Sequence, residues 1–264
     1  MSKLELLALN NMVNSSEAMF DRRHRILHEA RKMISRGGLD GFSMRELSKR
    51  ADVSTRTIYN AFGSKETVVA LAIHAYFETF VAHVGFEDGP QTFKGALTRQ
   101  ITSTLRDIDM PHYMQALVRL YFSPTLHPDI RSVLLDLATR SWVLWLDGLK
   151  TLGKLGEAVD VSDLIIDLSN IQYSKIHEWV LGTLDDEAFL TKTMSGILLL
   201  LIGATRGNAR AGVEEMFVQL QSDGAFRKRL LGDARDRITA MERKADRNKP
   251  AQQSSARGKR SKVI

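Results

Sequence analysis

Apolar residues recur along most of this chain at the three- and four-residue intervals of an amphipathic helix. In residues 17–36, Ile26, Leu27, Ala30, Met33 and Ile34 form one stripe, and Gly37 and Gly38 follow as a stop. Residues 64–84 carry Val68, Leu71, Ala72, Ala75 and Phe80. Phe93, Leu97, Ile101 and Leu105 repeat every four residues in 92–108. Pro111 and Pro128 are placed to open two further helices, reaching about 122 and about 152, because proline suits the first helical turn. Residues 162–181 end at Gly182, and Asp185, Asp186 and Glu187 put negative charge at the start of the next helix, which reaches about 205. Residues 208–223 and 226–247 read as one broken helix or two shorter ones. No Val/Ile/Thr-rich alternation bounded by turns suggests a sheet, and no internal repeat is present, so the expected fold is all-α.

One stretch departs from the long-helix pattern. Residues 43–66, SMRELSKRADVSTRTIYNAFGSKE, read as two short helices joined by a tight turn, then the start of a third. Ser43 can cap the first helix, with Glu46 completing a capping box. Leu47 and Ala51 fall on its inner face, and Asp52-Val53 makes the turn. Ser54 caps the second helix, whose Ile58 and Phe62 sit four apart on the buried side. Thr55, Arg56, Thr57, Tyr59 and Asn60 remain outside. Their hydroxyl, guanidinium, phenol and amide groups can pair with phosphates and base edges. This is the pattern of a helix-turn-helix whose second helix enters the major groove. Thr55, Arg56 and Asn60 are the candidates for base edges, Arg matching guanine and Asn adenine. Ser43 and Arg45 could hold phosphates at the start of the preceding helix, and Arg22, Arg23 and Arg25 near the start of the first helix could reach the backbone.

Gly41-Phe42, Arg45-Glu46-Leu47, Ala51, Val53-Ser54, Thr57-Ile58-Tyr59, Phe62 and Ser64-Lys65-Glu66 resemble, in order and spacing, the DNA-binding signature of the TetR (tetracycline-repressor) family of bacterial transcriptional regulators. Ile26, Leu27, Ala30, Ile34 and Gly37-Gly38 resemble the family's preceding helix. The resemblance covers residues 22–84, and beyond them it is architectural only. Asp52 stands where the family usually has Gly, Asn60 where a second aromatic is common, and Ala61 where His is common. Asp tolerates a left-handed turn better than most non-Gly residues. Asn60 and Ala61 bear on the operator sequence rather than the fold.

The resemblance implies a helix-turn-helix DNA-binding domain at 17–66, a connecting helix at 64–84, and a larger helical ligand-binding and dimerisation domain at 85–247. It implies a homodimer on a near-palindromic duplex operator, released by a small-molecule inducer. It places Thr57, Tyr59 and Lys65 at positions that usually hold the phosphate backbone. Candidates to line the inducer pocket are Phe93, Met110, His112, Tyr113, Met114, Leu117, Tyr121, Trp142 and Trp145, although aromatic and methionine side chains fill cores by default. The dimer is expected through 162–181 and 187–205. Ile197 to Ile202 is apolar all round and needs cover on every side, and Leu164, Leu168, Ile171 and Trp179 offer a matching stripe. An activator, a partner-controlled regulator without a small ligand, or a helical-bundle enzyme with a vestigial motif are the alternatives.

Charge sharpens this picture. The chain has a formal net charge of +6: residues 1–20 carry −1, residues 21–66 carry +5 and residues 243–264 carry +7, leaving residues 67–242 acidic at −5. A basic head on an acidic body suits a nucleic-acid contact confined to one face. Residues 250–264 are polar and basic with almost no apolar side chain, and are expected to be a disordered tail. There is no cysteine, which excludes disulfides and thiol chemistry and fits a reducing cytoplasm. The first residues lack a basic start followed by a long apolar run, and no apolar run is long enough to span a bilayer, so no membrane contact is expected. His24 and His28 have a metal-binding spacing but lie among arginines with no third ligand in view. No nucleophile elbow, phosphate-cradling glycine loop or catalytic carboxylate pair occurs. No metal, cofactor or enzyme activity is expected.

Overall fold

The structure is a computed structural model in which residues 17–247 are described. The expected basic tail and the N-terminal extension at 1–15 lie outside the described residues. Among the described residues eleven helices follow one another: α1 (Glu17–Gly37), α2 (Met44–Arg50), α3 (Thr55–Phe62), α4 (Lys65–His83), α5 (Phe93–Ile108), α6 (Pro111–Tyr121), α7 (Pro128–Thr151), α8 (Val161–Val180), α9 (Asp186–Ala204), α10 (Gly207–Ser222) and α11 (Gly224–Arg247). Among the described residues there is no strand, only an isolated antiparallel bridge between Leu155 and Thr205. Local chemistry sets most helix starts. The side chains of Ser54, Ser64, Thr92, Asp160 and Asp185 each accept a backbone N–H of the first turn, and Pro111 and Pro128 open α6 and α7. The expected capping box on α2 is only half made. Ser43 accepts from the Glu46 N–H at 3.4 Å, while the Glu46 carboxylate pairs with Arg50 at 2.9 Å. The uncertain C-terminal segment is two helices, split at Asp223.

The first three helices form a small head around Ile26, Ile34, Leu47 and Ile58, all without exposure. Between α2 and α3, Asp52 has φ 51°, the one left-handed non-glycine residue among the described residues. The turn thus requires the conformation for which the sequence offers Asp in place of Gly. At the other end of α3, Gly63 (φ 77°) turns the chain directly into α4. α4 packs on α1 and α3 in the head and on α6 and α7 in the body. It buries Val68, Val69, Ala72, Ile73, Phe77 and Phe80 on several faces, as a helix shared between two cores must.

The body is built on α5, α7, α8 and α9. Its centre is polar as well as apolar. Trp142 on α7 donates its indole N–H to Gln100 on α5 (2.9 Å), and Gln100 donates to Gln172 on α8 (3.1 Å). Tyr173, fully buried, donates to the carbonyl of Leu134 (2.8 Å). These bonds tie three helices at fixed register. One group in this core has no such bond. Asp107 near the end of α5 is 4 % exposed, and its Oδ2 lacks a partner. Burial alone pushes its carboxyl well above the ordinary range, so the neutral acid is favoured.

α8 and α9 form an antiparallel hairpin, with α10 packed on α9 and α11 returning to α5. α9 is long and apolar enough, by length and composition, to cross a membrane. Here its Phe189, Leu190, Met194, Ile197, Leu198 and Leu201 are buried against its neighbours in the same chain. This revises the expected dimer stripe. Leu164 and Leu168 of α8 are buried within the chain, and Trp179 stacks on Phe189 at 5.2 Å. Gly196 lies against Ile171 of the same chain, where a Cβ would come within 2.9 Å. The reason is that α10 and α5 already cover two sides of α9.

Two outcomes follow from this packing. Asp52→Val should lower stability by about 1–3 kcal/mol, since a β-branched residue is strained at positive φ, whereas Asp52→Gly should not lower it. Urea unfolding of both variants checks this. For Asp107, the folded carboxyl keeps its proton above the unfolded value of about 3.9. Its contribution is therefore fully present below about pH 4 and is lost as pH rises through the folded pKa. Asp107→Asn should gain stability relative to wild type as pH rises above about 4, read from urea midpoints across pH.

Candidate nucleic-acid interface and effector cavity

α3 is held from below and presents its upper face to solvent. Ile58 and Phe62 are buried, while Arg56, Tyr59 and Asn60 are exposed. Ser54 accepts from the Thr57 N–H at 3.0 Å, and the Ser54 and Thr57 hydroxyls meet at 2.8 Å. Thr55 is turned toward α2: its hydroxyl donates to Ser48 Oγ at 3.2 Å, and Ser48 in turn donates to the Arg45 carbonyl. The exposed row thus narrows to Arg56, Tyr59 and Asn60, with Thr57 half-buried at its start. Ser43 and Arg45 are exposed at the start of α2. Lys65, half-buried in the first turn of α4, has its ammonium 5.6 Å from the centre of the Phe42 ring.

The arginines of α1 do something the sequence does not announce. Arg23 donates to the carbonyl of Ala61 at 2.7 Å and lies 4.6 Å from the centre of the Phe62 ring. Arg25 donates to the carbonyl of Ala51 at 2.8 Å. Each guanidinium closes the C-terminal end of one of the short helices, where free carbonyls and the helix dipole favour a cation. Two of the three arginines expected to reach phosphate therefore act as clamps on α2 and α3, Arg23 half-buried and Arg25 exposed like Arg22.

In the body, the nine pocket candidates scatter. Met114 and Leu117 line a cavity of about 20 Å³, room for about one water molecule. Tyr113 is buried elsewhere, donating to the Arg31 carbonyl of α1 at 3.0 Å. Tyr121 stacks on Tyr173 at 4.1 Å and donates to Asn170. Trp142 and Trp145 are core, with the half-buried Phe93 5.2 Å from Trp145. Met110 is half-buried at the cap of α6, and His112 is exposed beside Gly38. The cavity's polar lining, Asp107, Arg140 and Gln172, was missed. A signal existed: Gln100, Thr104 and Asp107 recur at helical spacing beside the apolar stripe of α5.

Arg140 bridges Glu78 at 2.7 Å and Asp136 at 2.8 Å, and His74 meets Asp136 at 3.0 Å. Burial would raise the Asp136 carboxyl, but the hydrogen bond from His74 and the Arg140 charge hold it below the ordinary value. His74, Glu78 and Asp136 lie close enough to share a metal ion, yet the guanidinium already serves both carboxylates as their cation. An open cleft of about 630 Å³ separates the start of α4, at Ser64 and Thr67, from the α6–α7 turn at Ser123 and His127.

Comparison with known proteins locates this head. Residues 26–72 match the family model described as bacterial regulatory proteins, tetR family. The chain is 40% identical over 63 residues to the HTH-type transcriptional repressor KstR of Mycolicibacterium smegmatis, covering 24% of this chain and 31% of that protein. It is 39% identical over 64 residues to the KstR of Rhodococcus jostii, covering 24% and 30%. These matches span about a third of the length of those relatives. A TetR transcriptional regulator from Rhodococcus sp. RHA1 has a similar fold, with TM-score 0.52 at 18% identity, over 71% of this chain and 98% of that one. Residues 26–72 thus carry the sequence of the tetR family of bacterial regulatory proteins, set in an all-helical fold similar to that of a TetR transcriptional regulator.

Proposed function

We propose that this protein is a transcriptional repressor that binds a near-palindromic operator as a homodimer and leaves it when a small molecule enters the body. It acts in the cytoplasm, where the chromosome lies, and it is not an enzyme. The observation that carries the reading is the exposed row of Arg56, Tyr59 and Asn60 on a helix pinned by Ile58, Phe62 and the Arg23 clamp. A rigid helix offering a guanidinium and an amide suits base readout, while Ser43, Arg45, Thr57 and Lys65 flank it with groups suited to phosphates. The KstR relatives, named as repressors, match 63 and 64 residues of this chain, which supports the direction of control.

A second copy of the chain is the natural cover for an apolar belt across α8, α9 and α10. Ile166, Leu199 and Val218 are exposed. Ile171 of α8 lies against Gly196 of α9, and Gln221 of α10 donates to Ser195. Counting from those contacts at 1.5 Å per residue puts the three side chains within about 3 Å of one level. An exposed row of this kind, on helices whose other faces are already packed, fits a two-fold seam. Two heads are needed because the half-sites of such an operator lie about 34–36 Å apart.

α6 links body to head. Its Met114 and Leu117 face the cavity, while Tyr113 holds α1 and Arg119 pairs with Asp40 at 2.6 Å. A ligand that displaces α6 therefore moves the contacts on which the head rests, and the open cleft leaves α4 room to swing. Repression and release then require only that the ligand prefer one of two arrangements.

Arg56→Ala and Asn60→Ala should each cost about 1–3 kcal/mol at particular base pairs and relax preference there. Lys65→Ala should weaken all duplexes alike and lower the salt slope by about 1. Titrations against operator and random DNA at several salt concentrations distinguish these patterns, and equal losses on both duplexes for Arg56→Ala would remove it from base readout. Leu199→Glu, at a site 54% exposed in the single chain, should leave the fold intact but abolish dimerisation and operator binding together. Sedimentation and operator titration test this, and a monomer with native operator affinity would break the coupling.

A further inference from the structure

The cavity among α4, α5, α6, α7 and α8 has a built polar end. Asp107 and Arg140 both line it, and the Asp107 Oδ2 and Arg140 Nε atoms are the two buried side-chain atoms without a hydrogen-bond partner among the described residues. A group left unpaired in a protein core costs free energy, so a core that keeps two at one cavity is one to which something else brings the missing partners. Much of the remaining lining is apolar, from Phe77, Met114, Leu117, Leu137 and Ile176. Resting on the effector reading above, we propose that this cavity is the anchor for the effector, and that it takes a neutral oxygen group, a hydroxyl or a ketone, at the end of an apolar molecule.

The charges around the cavity select the class. Arg140 already serves two carboxylates, Glu78 and Asp136, so its charge is spent. An anionic ligand would add a further negative charge to that group. An ammonium ligand could donate to Asp107 but has no lone pair for the Arg140 Nε–H, which would stay unpaired. A hydroxyl or ketone oxygen accepts from Arg140 Nε. It also pairs with Asp107, whose neutral carboxyl can donate as well as accept. In the unliganded protein the space has room for about one water, and the ligand oxygen fits that room.

Only the polar end is preformed. A tail needs more room than 20 Å³, and Met114 and Leu117 on α6 are the side chains that must give way. Methionine adapts readily to a new shape. Tail entry therefore presses on the helix that carries Tyr113 and Arg119, the two contacts to the head. On the other side, Gln172 at the cavity is joined through Gln100 to the Trp142 indole, so an occupant should be visible in tryptophan emission.

The test uses the full chain and a set of eight-carbon probes: 1-octanol, 2-octanone, octylamine and octanoate. Octanol or octanone should raise Tm by about 5–10 °C at roughly 100 times Kd and change tryptophan emission, while octylamine and octanoate do not. Asp107→Asn, which keeps a neutral polar group, should retain the response. Asp107→Leu should lose it while unfolding at a Tm no lower than wild type, because it replaces an unpaired polar group by an apolar one. Leu117→Phe, which leaves Asp107 in place and fills the apolar side, should lose it as well. The assignment is overturned if no probe shifts Tm, if octylamine or octanoate binds instead, or if Asp107→Leu or Leu117→Phe responds as wild type does. Operator titration is a separate readout. Binding through Asp107 with operator affinity unchanged would keep the site and overturn its role as an effector anchor, whereas failure of the unliganded protein to bind any operator would overturn the repressor reading and leave the Tm result standing.

Discussion

α4 belongs to two cores at once, and the arrangement of the molecule depends on it. Its first turn, capped by Ser64, follows the recognition helix after a single left-handed glycine. Its middle buries Val69 and Ile73, and its far half places Phe77 at the cavity. A helix is stiff along its axis, so a shift at Phe77 cannot be absorbed locally and must appear at Lys65. The apolar residues around α4 leave it no solvent face wide enough to let go of either core. Head and body are therefore joined by packing as well as by sequence, with Tyr113 and Arg119 of α6 adding a second attachment.

The head shows how a very short helix is made rigid. α3 has eight residues, too few to be stable alone. Its Thr57 N–H is satisfied by Ser54, its Ala61 carbonyl by Arg23, and its apolar side by α2 and α4. Each device removes one way of fraying. What remains free is the row Arg56, Tyr59 and Asn60, whose positions are set by everything beneath them. Under the proposed function this rigidity would serve recognition, because a base edge discriminates only if the side chain reaching it starts from a fixed place.

The body treats its polar groups in two ways. Trp142, Gln100 and Gln172 satisfy one another and lock three helices in register. Asp107 and Arg140 Nε are left open beside a cavity. A paired network rigidifies a core, and an unpaired one weakens it. The contrast, within one set of helices, is why the cavity reads as a place kept for an occupant rather than as a fault in packing.

Much of this was legible in the sequence because it is local. Helix extents follow from the recurrence of apolar residues, starts from Ser, Thr, Asp and Pro, and the left-handed turn from a motif that offers Asp52 where glycine is usual. The exposed row Arg56, Tyr59 and Asn60 is legible for the same reason, since one face of eight residues is fixed by helical geometry once Ile58 and Phe62 are known to be buried, although Thr55, expected on it, turns to Ser48. The tertiary structure decided which partner each face meets. It turned Arg23 and Arg25 to carbonyls, gave Glu46 to Arg50, buried Leu164 and Leu168 within the chain, and left Ile166, Leu199 and Val218 outside. It also brought Asp107, Arg140 and Gln172 to one cavity from three helices. Periodicity states that a stripe must be covered, but the cover comes from residues tens of positions away, and their choice depends on how whole helices cross.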